Sequence, residues 1–233
     1  MLPRCHTTLP LLALLAAFFA AGMLVAGRAA HADTAEQAPA VVCGNLIYAG
    51  DKTSRCFADA FLQDTAQKTN IRVAGKFESV RADSDDLYMH PLVVMTGEGD
   101  FELTEKERRQ LKRYLTRGGF MIASSGCSNG KWDAAFRREI AKVLPDMKLS
   151  VLPEGHPAYR LVYTINAEKS DKGDPALPRL EHVAIDGRTV LVYARDGLNN
   201  STNASQDCCC CGGSEIRQAK ELNVNLLTYA LTH

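Results

Sequence analysis

The chain has 233 residues, with 27 Lys and Arg against 27 Asp and Glu, a formal net charge of zero and 46% hydrophobic residues. This composition excludes a disordered polyelectrolyte, and the lack of a basic stripe excludes a nucleic-acid surface, so no nucleic-acid partner is expected. Eight cysteines, four of them consecutive at Cys208, Cys209, Cys210 and Cys211, point to sulfur chemistry, because a core needing small apolar volume takes Ala or Val more safely than an oxidisable thiol.

Residues 1–32 read as an export signal. Arg4 supplies the positive n-region, Leu11 to Val25 the apolar h-region, and Ala30 with Ala32 the small-x-small cleavage pattern before Asp33. The competing reading is an uncleaved anchor, since Leu9 to Ala29 is just long enough to span a bilayer. Membrane contact is expected only through that segment. Either way the domain is expected outside the cytoplasm, in the periplasm or cell envelope. Without Arg4 and Arg28, 25 basic residues face 27 acidic ones, and charge says nothing more about partners. Residues 33–42 form a polar linker, and residues 43–233 are long enough for one domain with a substantial core.

From there strands and helices alternate. Leu46 to Ala49 predicts a strand ending at the turn Gly50-Asp51, followed by a helix capped by Thr53 or Ser54 with Phe57, Ala60, Phe61 and Thr65 on one face. Ile71 to Ala74 predicts a second strand. Pro91 to Met95 is an uninterrupted apolar run suited to a strand covered on both faces. Thr104 and Glu107 have capping-box spacing, Leu111, Tyr114 and Leu115 form a buried stripe, and Gly118-Gly119 stops that helix. Phe120 to Ala123 is the next strand, Trp132 to Val143 the next helix. Glu181 to Ile185 and Thr189 to Tyr193 flank Asp186-Gly187, a strong hairpin signal. Ser214 to Leu231 closes the chain as a helix. The expected fold is α/β, with a mostly parallel central sheet, helices on both faces and an antiparallel hairpin extension near the C-terminus.

Several of these segments together carry a resemblance. The string Val94-Met95-Thr96-Gly97-Glu98-Gly99, then Leu111, Tyr114, Leu115 and Gly118-Gly119-Phe120, Phe136-Arg137-Arg138-Glu139, His156-Pro157, Ile185-Asp186-Gly187-Arg188 and Val192-Tyr193 resembles the bacterial domain-of-unknown-function family 4159 over most of Gly44 to His233. The resemblance implies a flavodoxin-like three-layer sandwich similar to the class I glutamine amidotransferases, with no established activity. It also implies partners among cell-envelope proteins. Amidotransferase chemistry needs a cysteine on a tight, glycine-flanked strand-to-helix turn and a later His-x-Glu to activate it. Cys127 follows the strand at Phe120 and has Gly126 before it, but Ser125 and Asn129 stand where the motif has glycine. His156, His182 and His233 lack the following Glu, so an active glutaminase is not expected.

In such a sheet, ligands bind beyond the carboxyl ends of the strands. Cys56 and Cys127 follow strands and should lie at that edge, which the loop bearing Cys208 to Cys211 could also reach, whereas Cys43 precedes the first strand and should lie opposite. Three uses compete for the cluster of Cys56, Cys127, Cys208, Cys209, Cys210 and Cys211. Export favours disulfides, although consecutive cysteines, with Cα atoms about 3.8 Å apart, sit below the usual disulfide range of about 4.4–6.8 Å and must bond outward. Cys208 and Cys211 have C-x-x-C spacing, and with Cys56 and Cys127 they could form a tetrathiolate for zinc or an iron–sulfur centre. A redox-active or nucleophilic thiol is the third use. Gly97, Glu98 and Gly99 form a candidate backbone anion site or a plain turn. His156 is a candidate base in a Gly155-His156-Pro157 loop, and Asp196 a candidate carboxylate or an Asp-Gly turn. The expected function is non-catalytic binding or scaffolding in the cell envelope, with the cysteines as staple or metal clamp; the alternative is a hydrolase or thiol-dependent enzyme using Cys127 with His156 and Asp196.

Overall fold

The computed structural model describes residues 39–53, 56–126, 129–168, 175–199 and 216–233. The chain divides into Met1–Gln37 and Ala38–His233, and every described residue belongs to the second unit. Its elements run β1 (Gly44–Ile47), α1 (Ala60–Lys68), β2 (Glu78–Arg81), β3 (Leu92–Gly97), α2 (Glu105–Thr116), β4 (Phe120–Ser125), α3 (Gly130–Val143), β5 (Ser150–Val151), β6 (Glu181–Ile185), β7 (Arg188–Ala194) and α4 (Ala219–Thr232). Short 3-10 turns lie at Asp85–Met89 and Pro157–Tyr159. Among the described residues no helix is long and apolar enough to cross a membrane.

The seven strands form one sheet in the order β2-β1-β3-β4-β7-β6-β5. The first five are mutually parallel, and β6 and β5 extend the sheet antiparallel to their neighbours. β3 and β4 are apolar runs because the sheet is covered on both sides. On one face Leu92, Val94, Phe120, Ile122 and Val192 pack with Phe61 and Leu62 of α1 and Leu222, Leu226 and Leu227 of α4. On the other, Val93, Met95, Met121, Ala123 and Leu191 pack with Leu111 and Leu115 of α2 and Phe136 and Ile140 of α3.

α4 is buried from Leu222 to Ala230, so its polar residues need internal partners. Asn225 meets that need: its Oδ1 accepts from the Val162 and Tyr163 amides at 2.9 and 2.8 Å, and its Nδ2 donates to the Ala158 and Tyr163 carbonyls, both at 2.8 Å. The helix is thereby fastened to the 157–163 segment.

Two sequence expectations need correction. The strand expected at Ile71 to Ala74 contributes only an isolated bridge, Val41 to Val73, and the paired strand is Glu78–Arg81. As an edge strand it buries only Val80, so it shows little apolar signal. The first helix starts at Ala60, behind Asp59, which makes no side-chain capping bond; Ser54 lies outside the described residues. The Asp186-Gly187 hairpin is present, both residues having positive φ (50° and 80°), as a two-residue turn of this kind requires.

Candidate functional site

In an open α/β sheet the crevice forms where neighbouring strands connect in opposite directions. Here that place is the carboxyl end of β1 and β3, since β2 lies outside β1 and α1 and α2 cover opposite faces. Tyr48, just beyond β1, is fully buried and points its hydroxyl across this end. Trp132 Nε1 donates to Tyr48 Oη at 2.7 Å, and Tyr48 Oη donates to the Thr96 carbonyl at 3.1 Å. Burial pushes the Tyr48 phenol up to about 12, against the opposing pull of the Trp132 hydrogen bond. Aromatic rings continue from there: Tyr48 to Phe101 (5.0 Å), Phe101 to Trp132 (5.7 Å), Trp132 to Phe136 (5.1 Å, stacked) and Phe136 to Tyr193 (4.6 Å). All five are buried, so among the described residues aromatic side chains occupy the usual ligand crevice.

Gly97, Glu98 and Gly99 lie at this edge. A Cβ on Gly97 would stand 2.3 Å from Tyr48 Oη and 3.0 Å from Trp132 Nε1, so glycine is required by close approach. The Gly99 amide donates to Asn129 Oδ1 at 3.2 Å, which also accepts the Trp132 amide at 3.0 Å as cap of α3. That amide is therefore engaged within the protein. Gly126, at the end of β4, sits against the same loop, where a Cβ would meet the Gly97 carbonyl at 2.8 Å.

A second polar cluster lies beside it under the loop after β7. Ser124 Oγ donates to Asn199 Oδ1 at 2.9 Å and accepts the Leu198 amide at 2.8 Å, while Asn223 Nδ2 of α4 donates to the Leu198 carbonyl at 2.9 Å. The Ala58 amide donates to the Asn199 carbonyl at 3.0 Å, joining the post-β1 and post-β7 segments. Asp133 forms a third: its Oδ1 accepts from Tyr193 Oη at 2.6 Å and Arg137 Nε at 2.8 Å, and Arg137 continues to Glu181 at 2.5 Å. Burial, followed by the Asp133 hydrogen bond, raises the Tyr193 phenol well above its ordinary value. Asp196 is exposed, in a groove lined by Arg137, Arg179, Glu181 and Arg195. No sequence motif marks these clusters, because their members come from separate strands and helices.

His156 lies at the other end of the sheet. Its Nε2 stands 3.1 Å from Thr189 Oγ1, at the start of β7, whereas Asp196 follows the end of β7. That separates the two by about seven residues of extended chain, or about 20 Å at ~3.3 Å per residue. The constellation of Cys127, His156 and Asp196 is thus not assembled: its proposed base and carboxylate occupy opposite ends of one strand. Burial first, then the charges of His182, His233 and Arg160, lower His156 to about 4.

Cys127 and Cys208 to Cys211 lie outside the described residues. Cys43 is a free, buried thiol before β1, at the amino edge, and burial pushes it up to about 12, which makes it a poor nucleophile. Cys56 is disulfide-bonded. Among the described residues no group of three His, Cys, Asp or Glu side chains could hold a metal ion.

The class defined by these features is a mixed α/β domain with a mostly parallel seven-stranded sheet and an antiparallel C-terminal hairpin. Residues 45–231 match the family described as Domain of unknown function (DUF4159), and the chain belongs to it. Comparison with curated proteins found no match.

Proposed function

We propose that this is an exported cell-envelope protein of flavodoxin-like, glutamine-amidotransferase-like fold that acts by binding or scaffolding rather than by catalysis. The observation carrying this reading is the aromatic fill of the switch-point crevice by Tyr48, Phe101 and Trp132. The parallel order β2-β1-β3-β4-β7 supports the fold relationship. His156 stands at the start of β7 while Asp196 follows its end beside β4, which removes the base from any thiol at the end of β4. The disulfide at Cys56 favours a staple over a tetrathiolate, which needs that sulfur as a thiolate.

In-cell crosslinking of envelope proteins to the wild-type and Cys127→Ser chains tests the proposal, with melting temperature as the fold control. A binding domain captures the same proteins from both. A thiol-dependent hydrolysis that disappears with Cys127→Ser while the fold persists would overturn it.

A further inference from the structure

Three of the six histidines gather around α4 and the start of β7. The His156 and His182 ring centroids are 6.1 Å apart, His156 lies 4.7 Å from Tyr229, and Tyr229 stacks on His233 at 4.7 Å. The hydrogen bonds among them have a direction. The Ala158 amide donates to His156 Nδ1 at 3.1 Å, and because a backbone N–H can only donate, that nitrogen must be unprotonated. The proton of the neutral ring is then on Nε2, which donates to Thr189 Oγ1 at 3.1 Å, and the Thr189 hydroxyl keeps its own proton available for His182 Nδ1, 2.9 Å away. Thr189 itself is buried, and its amide donates to Tyr229 Oη at 3.1 Å.

The geometry points to an acid-sensitive latch in which neutral His156, Thr189 and His182 hold the Pro157–Tyr159 turn and the C-terminal half of α4 against the β6–β7 hairpin, and protonation releases them. A proton on His156 Nδ1 puts two donors face to face, so the cap of the turn is lost. That turn is bound to α4 through Asn225 Nδ2 and the Ala158 carbonyl at 2.8 Å, so its release reaches the helix. A proton on His182 Nδ1 likewise deprives the Thr189 hydroxyl of its acceptor. The groups facing the latch add to the effect. Arg160 follows the turn and acts on His156 together with His182 from β6 and His233 from the end of α4, all disfavouring its charge. Arg188 of β7 donates to the Ala230 carbonyl at 3.1 Å, its buried Nη1 having no hydrogen-bond partner among the described residues, and Tyr229 supplies an aromatic ring.

The depressed titration of His156 and of His182 agrees in sign. A folded value below the unfolded one gives stabilisation fully present above the unfolded value and lost as pH falls toward the folded one, here from about 6.5 toward about 4. This device is separate from the carboxyl-edge features and does not depend on the binding role.

Hydrogen exchange of the full mature chain at pH 7 and about pH 4.5 tests it, with rates corrected for intrinsic exchange. In the wild type, protection over 157–163 and 225–233 should fall about tenfold or more relative to the β3 and β4 strands, as expected for a site shifted by more than one unit. His156→Asn keeps a capping oxygen for the Ala158 amide but cannot titrate; it should keep protection within about threefold. His182→Gln should show a loss between these two. Unchanged wild-type protection, or an equal loss in His156→Asn, overturns the latch, and a His182→Gln loss equal to wild type overturns the role of His182. Should His156→Asn not fold, the His156 ring resonance of the wild type provides the reading: a midpoint at least one unit below ordinary histidine supports the latch, and an ordinary midpoint overturns it.

Discussion

Gly97 is held at glycine by a contact with Tyr48, 49 positions earlier in the chain. The Tyr48 hydroxyl cannot move aside cheaply, because it accepts from Trp132 and donates to the Thr96 carbonyl. Gly97→Ala should therefore cost about 1–3 kcal/mol, as overpacking of a filled core does. Urea unfolding should show the loss, and the emission of Trp132, the only tryptophan, should shift as its indole environment changes. A neutral Gly97→Ala with unchanged emission would mean that the crevice is not tightly filled. The G-x-G pattern was visible in the sequence as a turn, but its cause was not, since nothing local reveals where Tyr48 will point. Asn129 is similar: it reads as a departure from a glycine-flanked nucleophile turn, and in the folded chain it caps α3 and receives the Gly99 amide.

Glu139 shows how one side chain ties two elements together. It is 1% exposed on α3 and accepts on Oε2 from the Leu103 amide at 3.2 Å and Arg108 of α2 at 2.8 Å, and on Oε1 from Lys142 at 2.9 Å and Arg138 at 3.1 Å. Desolvation opposes its charge, but Lys142, Arg108, the Leu103 amide and Arg138 together hold the carboxyl below its usual range. Glu139→Gln should lower stability by about 3 kcal/mol, the order seen when one partner of a buried ion pair is removed; thermal unfolding at neutral pH measures it. Legibility at this scale follows locality. The Thr104–Glu107 capping box is present as read, because its partners are three residues apart, and the central strands β3 and β4 announce themselves as continuous apolar runs. β2 and the start of α1 leave little mark in the sequence because an edge strand buries little and Asp59 makes no capping bond. The charge network between α2 and α3 was not legible at all, since Arg108 and Glu139 are 31 residues apart.

Over the whole molecule, two ionisable networks predict loss of stability in acid by separate steps. His156 contributes stabilisation that is present above about 6.5 and fades toward about 4, and Glu139, with its lowered folded value, contributes stabilisation lost only at more acidic pH. The alternating βα rhythm was readable because central strands and amphipathic helices are encoded locally. The site was less so: order along the chain places Asp196 and His156 only 40 positions apart, while the strand between them carries them to opposite edges. What remains at the carboxyl edge is an aromatic fill, buried polar ties and a disulfide-bonded Cys56. Whether this is an exported binding domain stapled through its cysteines is decided by intact mass of the native, non-reduced protein with and without alkylation in denaturant. Such a domain shows a mature chain beginning near Asp33, a mass lower by two hydrogens for each disulfide, Cys43 alkylated only after unfolding, and Cys56 unmodified until reduced. Bound zinc or iron, or a Cys56 thiol that alkylates without reduction, would contradict it.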